Sequence, residues 1–449
     1  TTTIPIPTTI YGVHGGEGSD SVEGVAVNGN SFYLGGYFGD SIAFHQNSIS
    51  TSSGTDAFLA KYVQNSGYTW VKTFSNTGSS AILDVSSKNN YVYITGHFSG
   101  TITFGSTTLT SNGSNDIFIA KLSLDGDTQW AKSYGGPHND SSLSIAIDAN
   151  ENIYLGGYFN GNNNETITIG NDTYTTSAPT TSSYSDGLII KLNSSGVFQW
   201  SRAFQSSYNT NVNDIVVDQN NNVYITGAYR GTTDFGGTTL SYVSGNGFFY
   251  LAKYDQSGNY QFAKGYGSNG NEQGFGIDIN SNGEILVVGS FGNSGVSNYS
   301  VDFGNGNLIS NGSNDILILK FDSNGNTLNS INFGGSSGEV AREIFVDSSN
   351  NIYISGSFSG SFSFGNPITS EGGSDGFIAK LNSNLNPVWI KRAGGASNDI
   401  ILELEMFNNN IVGVGYAQGS SINFDGTILS TFGSRDGAVF ALDSSGNLK

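Results

Sequence analysis

Seven times in 449 residues the chain returns to one short phrase, an apolar run that closes on glycine and is usually followed by an aromatic residue. The copies read FYLGGYF at 32–38, VYITGHF at 92–98, IYLGGYF at 153–159, VYITGAY at 223–229, ILVVGSF at 285–291, IYISGSF at 352–358 and a worn IVGVGYA at 411–417. Their shared glycines are Gly36, Gly96, Gly157, Gly227, Gly289, Gly356 and Gly415, spaced 60, 61, 70, 62, 67 and 59 residues apart. A repeat of this length, built from short β-like runs, cannot bury its apolar face alone and must stack on its neighbours. That constraint decides the architecture and says almost nothing about activity.

Each repeat holds four such runs; in the third they are SIAID at 144–148, IYLGGYF, DGLIIKL at 186–192 and QWSRAF at 199–204. Turns rich in Asn, Asp and Gly, such as DANEN and DQNNN, separate them as antiparallel hairpins require. Helical periodicity is absent. The sequence therefore predicts an all-β chain, a seven-bladed β-propeller of four-stranded antiparallel blades with strands a to d, as one domain over 1–449. The blades are placed near 20–75, 78–136, 140–206, 210–267, 272–334, 339–394 and 399–449. The last unit stops at SSGNLK, where its strand d should begin. The chain start, IPIPTTIYGVHGG, reads like a strand d, with Gly15-Gly16 matching Gly135-Gly136. Residues 1–14 are expected to complete blade seven and remove an open edge.

Composition narrows the function classes. The formal net charge of −19 argues against nucleic acid, whose binders gather Lys and Arg, and against an anionic membrane surface. With no cysteine there is neither a disulfide framework nor a thiolate metal site. No apolar run reaches the length of a membrane span. The first residues do not read as a signal peptide.

Spacing separates scaffold from variable parts. From each strand-c lysine to the next strand-b glycine the separation is 35 or 36 residues in every unit. From the glycine onward to strand c it varies between 24 and 34, so all length variation lies in the b–c connection, which reads as a hairpin extended past the blade. Blade three carries an insertion within 160–186 and blade five within 292–315. Insertions in repeat proteins map to loops on one face, often the binding face. Neutral drift of polar loops explains the same lengths. The candidate ligand-binding residues on these loops are Asn160, Asn164, Tyr174, Tyr184, Tyr299 and Asn305.

The run from Gly96 to Gly135, GHFSGTITFGSTTLTSNGSNDIFIAKLSLDGDTQWAKSYG, resembles the β-propeller repeats of secreted and surface proteins of the Bacteroidetes, many of them type IX secretion cargo. The resemblance extends over essentially the whole chain. It implies an extracellular or cell-surface location and carries no catalytic residues.

A carboxylate stands 16 or 17 residues before the strand-b glycine in five units, at Asp20, Asp140, Glu272, Glu339 and Asp399, with Ser79 and Thr210 at that place in blades two and four. Seven-fold repetition predicts a ring of these groups at one mouth of the central channel. There they would form a cation site or, because they repeat, accept backbone N–H groups in the loop entering strand a. The strand-c lysines and strand-d cations recur as well, leaving only Lys88, Arg230, Arg342, Arg392, Arg435 and Lys449 outside the repeat. D-x-N-x-N runs at 148–152, 218–222, 278–282 and 322–326 make calcium the metal to consider, yet they also sit where hairpin turns are required. No metal site and no cofactor is therefore assigned. Four histidines lack ligand spacing, and GxSxG, HExxH and P-loop motifs are missing. The expectation is a non-enzymatic, extracellular interaction or adhesion module that binds a protein or glycan partner through loops on one face. The alternatives are a lectin and a lyase or hydrolase working at the channel mouth.

Overall fold

The computed structural model describes residues 10–45, 47–51, 54–162, 165–176, 184–242, 244–296 and 298–449. Among them every regular element is a strand, and the sheets are the seven four-stranded antiparallel blades the repeat predicts, in the order a-b-c-d. Blade one is Ser21–Asn28, Ser31–Phe38, Asp56–Val63 and Gly67–Thr73. Strand a lies innermost and strand d outermost. Strands b and c are rich in β-branched and aromatic residues and are buried almost throughout, the composition expected of strands covered on both faces.

The core lies between blades rather than within them. Phe32, Phe58 and Tyr62 of blade one pack with Phe407, Val412 and Val439 of blade seven, and each further seam repeats the arrangement. Closure follows the expectation. Gly12–His14 pairs antiparallel with blade seven's strand c, Arg435–Leu442, in the register Gly12↔Val439 and His14↔Gly437. The Ile10 N–H donates to the Lys449 carbonyl.

The b–c connection is a hairpin in every blade, and it belongs to the scaffold. In blade two, Thr101–Phe104 pairs with Thr107–Thr110 and also with Ser75–Asn76 behind blade one. In blade six the hairpin is continuous with strands b and c, Ile352–Phe364 and Asn366–Leu381. Its apolar pair is fully buried, as Ile42 with Phe44, Ile102 with Phe104 and Ile422 with Phe424. Each hairpin aromatic meets the end of the preceding blade's strand d: Phe104 lies 4.7 Å from Phe74, Phe235 5.1 Å from Phe204, and Phe364 4.5 Å from Phe333.

The strand-c lysines act as latches on the opposite face. Nζ of Lys61, Lys121, Lys191, Lys253, Lys320 and Lys380 donates to a c–d turn carbonyl of the next blade at 2.6–3.4 Å. Five of the six also lie over a strand-b tyrosine, as Lys191 does over Tyr154 at 4.8 Å. Blade seven has Ala441 at this place, so six lysines serve seven seams.

The repeated glycine has a single steric cause. Strand a of every blade contains a β-bulge beside it, and one residue goes unpaired, as Glu23 does between Val22 and Gly24. The bulge turns a strand-a carbonyl toward strand b. A Cβ on Gly36, Gly96, Gly157, Gly227, Gly289, Gly356 or Gly415 would lie 1.8–2.1 Å from that oxygen. Gly227→Ala is expected to destabilise by about 1–3 kcal/mol or more, measured by denaturant unfolding. Removing residues 1–14 should cost at least about 2–5 kcal/mol, the loss for one buried Ile-sized side chain. An unchanged melting temperature would refute that role for the closing strand.

Candidate functional site

The five repeated carboxylates do not ring the channel mouth. They are fully buried within their own blades and absent from the channel lining. Asp20 accepts the N–H groups of Gly16 and Gly39 at 2.8 and 3.0 Å, Asp140 those of Gly136 and Asn160, and Asp399 those of Gly395 and Gln418. Glu339 accepts from Gly335, and Glu272 from Ser268 and the Tyr299 hydroxyl. Each ties the d–a loop down, mostly to the end of strand b. The blade-two equivalent is Ser80 rather than Ser79, because Ser80 is the residue paired with Phe98.

The loop candidates divide. Tyr299 is 4 % exposed, and its hydroxyl donates to Glu272 Oε1 at 2.5 Å, so it anchors the blade-five insertion instead of displaying it. Tyr174 is half-buried against Phe159, with its hydroxyl 2.8 Å from Ser201 Oγ. Asn160 ends strand b of blade three and gives its N–H to Asp140. Asn164 lies outside the described residues. Two candidates stay on the surface: Asn305 in the tip between Ser300–Asp302 and Asn307–Ile309, and Tyr184, edge-on to Tyr208 at 5.3 Å.

Three of the D-x-N-x-N runs are closed turns. Asp148 Oδ1 accepts from the Asn150 and Asn152 N–H groups while Oδ2 takes the Asn152 amide, and Asp218 and Asp322 repeat the pattern. The fourth differs, since Asp278 lies in strand a, facing the channel, and Asn280 makes the turn. Among the described residues no group of three or more His, Asp or Glu side chains is placed to hold a metal ion.

The channel itself is lined by strand-a residues that the repeat does not fix. The bulged residues are Glu23, Leu83, Leu143, Asn213, Phe275, Arg342 and Leu402. They form a tier near the mouth where strands a begin, which is also the face of the b–c and d–a connections. Deeper lies a cavity of about 260 Å³ lined by Asp84, Asp214, Asp278, Glu343, Glu403 and Glu405. Three of these carboxylates stitch neighbouring blades: Asp84 accepts the Ile145 N–H, Asp214 that of Ile277 and Asp278 that of Val346, each at 2.7 Å. Among the described residues, Glu343 and Glu403, from blades six and seven, make no such bond to a neighbouring blade. Burial first, then mutual repulsion, raises both well above the usual carboxylate range. Burial pushes Asp278 and Glu405 up to about 7.

At the mouth the arrangement is asymmetric. Arg435 Nη1 donates to the Tyr37 hydroxyl at 2.9 Å, and its guanidinium carbon lies 3.9 Å from the Tyr416 ring centroid. Arg342 lies 4.2 Å over Phe275. Neither forms an ion pair within 4.0 Å among the described residues, and both Nε atoms are buried without a partner. Glu23 is raised by burial, against the pull of Ser21, Arg435 and Arg342. Elsewhere on the rim His97, lowered by burial, has Nδ1 3.3 Å from Ser141 Oγ, and Tyr158 is raised by burial. The sequence held a signal for this cluster that the search for repeated charge passed over. These are strand-a positions, positions after the strand-b glycine and, for Arg435, the first residue of strand c, where the seven copies disagree.

Comparison with known proteins agrees with the fold. The β-propeller repeat profile matches residues 199–228, from strand d of blade three to strand b of blade four. An uncharacterised WD repeat-containing protein of Acanthamoeba polyphaga mimivirus is 28 % identical in an alignment of 208 residues that covers 41 % of this chain and 14 % of that protein. Among solved structures, the Neurospora crassa Pan2 WD40 domain aligns at 8 % identity and TM-score 0.44, over 94 % of this chain and 89 % of that one. A polysaccharide lyase of family PL25, an ulvan lyase, aligns at 10 % identity and TM-score 0.43, over 96 % of each chain. BamB of Moraxella catarrhalis aligns at 11 % identity and TM-score 0.39, over 92 % and 95 %.

The raised carboxylates set a pH dependence. The folded state holds protons that the unfolded chain releases near pH 4, so stability falls as pH rises from about 4 through about 7. Glu403→Gln should raise the melting temperature at pH 8 and leave it nearly unchanged at pH 4. Equal shifts at both would show that folding does not change the proton affinity of Glu403.

Proposed function

We propose that the protein is a binding module that takes an anionic, hydroxyl-rich chain, a carboxylated or sulfated glycan, on the face carrying the b–c hairpins and the channel mouth. One observation carries this reading. Arg230, Arg342 and Arg435 stand outside the repeat. Each lies over an aromatic ring (Tyr208, Phe275 and Tyr416), and none has a carboxylate ion-pair partner among the described residues. The repeated cations, by contrast, largely serve the scaffold. Unpaired guanidinium groups on aromatic faces offer charge to an acidic substituent while the rings cover a sugar face. Tyr208 is 40 % exposed and meets Tyr184, which extends the aromatic surface toward the blade-three insertion. The carboxyl groups deeper in the channel offer an acidic chain no counter-charge, so it would lie across the mouth rather than thread through. The extracellular setting implied by the repeat resemblance belongs to the same proposal.

A second reading, a lyase or hydrolase, draws on His97, Tyr158, Tyr37 and Glu23 sharing that mouth, where burial moves all four from their ordinary protonation ranges. The test is an array of neutral, carboxylated and sulfated glycans, followed by calorimetry on the hits. Replacing both mouth arginines, Arg342→Met with Arg435→Met, should weaken binding to acidic glycans by about tenfold or more, some 1.4 kcal/mol, with folding retained. Binding to neutral glycans alone, or to none, would refute the proposal, and shortening of a bound glycan on incubation would favour the enzyme.

A further inference from the structure

Each seam between blades has a notch on the rim, bounded by strand d of one blade and by the b–c hairpin and c–d turn of the next. Strand-d cations span it. Lys72 Nζ donates to the Asp125 carbonyl at 2.7 Å and lies 3.4 Å from Asp127 Oδ1. Arg202 Nε donates to the Gly258 carbonyl at 2.7 Å, and Lys391 lies 2.6 Å from Asp425 Oδ2. The closing strand is built differently. Its register puts Ile10, Gly12 and His14 at the places held by Trp70, Lys72 and Phe74 in blade one. The tryptophan and cation that stand here in blades one, two, three and six are therefore missing; blade five lacks both too, with Asn329 and Ile331, but there Leu385 of the next blade is buried in the same cluster as Ile331.

What remains is a cavity of about 400 Å³, lined by Tyr11, His14, His45, Tyr62, Tyr68 and Phe432 among others, with no Lys, Arg, Asp or Glu among the described residues. Added bulk on Gly67, at its edge, would meet nothing within 4 Å. Phe432 is 63 % exposed at the entrance. His14 is 8 % exposed and stacks on Phe44 at 4.3 Å; its Nδ1, 3.1 Å from the Ala43 carbonyl, must carry the proton there. That leaves Nε2 with a bare lone pair and no partner, and the Tyr68 hydroxyl beside it is also buried and unpaired. Burial holds His14 down at about 4, so the lining carries no imidazolium from His14 at neutral pH.

We infer that the closing seam is a binding site for a small uncharged ligand built on a flat aromatic ring with one hydroxyl or N–H donor, of the naphthol or indole class. The ring takes the space that strand-d tryptophans fill at other seams, and its donor pairs with the orphaned acceptor side of His14 or Tyr68. A sugar ring, with a hydroxyl on nearly every carbon, brings more polar groups than this aromatic lining meets.

The test is titration of the full chain with 2-naphthol, followed by fluorescence and calorimetry. One saturable site is expected. Phe432→Ala, at an exposed position, should weaken it by about tenfold with the melting temperature unchanged, and Gly12→Lys, which restores a strand-d cation but sets a Cβ 3.1 Å from His14 Nε2, should weaken it at least as much with folding retained. The Arg342→Met/Arg435→Met variant should bind as the parent does, separating this site from the channel mouth. Several results overturn the inference: no saturable binding, binding indifferent to both seam variants, equal binding of methyl glucoside, or binding that appears only after residues 1–9 are removed.

Discussion

One short contact organises the molecule: the bulge in each strand a aims a carbonyl at the glycine of strand b, where no side chain fits. This is the physical content of the seven-fold phrase. Only glycine lets the two innermost strands of a blade stay paired across an extra residue. The extra residue is then left out of the ladder and faces the axis. Scaffold and function are thereby assigned to adjacent positions, since the glycine cannot vary while the bulged residue is free to be Glu23, Phe275 or Arg342 at no cost to the sheet.

Joining the blades to one another uses different means, because neighbouring strands a share no backbone ladder. Single backbone bonds from the d–a loop to the start of the preceding blade's strand c cross most seams, and side chains do the rest: aspartates reach the next blade's N–H groups on the channel wall, lysines reach its turn carbonyls on one face, and hairpin aromatics meet the preceding blade's strand d. The scarcity of charge in the composition follows. Many of the charged groups are committed to a seam or a loop, and where burial or an aromatic ring shields them, as at the repeated carboxylates and the strand-c lysines, the bond is worth more than an exposed pair would be.

The fold was legible in the sequence almost completely, including the strand donated by the chain start, because closure of repeated sheets follows from periodicity alone. The site was not. Periodicity states which residues are equivalent but not which way they point, and a bulge shifts that direction by one residue without leaving a mark in composition. The five repeated carboxylates therefore read as an axial ring, although the axial groups lie three and more positions further along each strand. The long connections of blades three and five read as free loops, yet Tyr174 and Tyr299 are tied inward. A tyrosine in a polar segment looks the same whether its hydroxyl meets solvent or a buried glutamate. Copies that disagree carried the better signal when read within strand a, where length never changes.

The bond network around Arg435 joins two parts of the ring that are otherwise treated apart. Its backbone carbonyl receives the Asp20 N–H and Ser434 reaches the Gly18 carbonyl, so the segment that presents the guanidinium to Tyr37 is also the stitch between the chain's two ends. The same N–H to carbonyl bond recurs at five other joints, and the seventh is the one that carries it without a lysine latch. A ligand seated against the mouth arginine would therefore also touch the one seam that closes without a lysine.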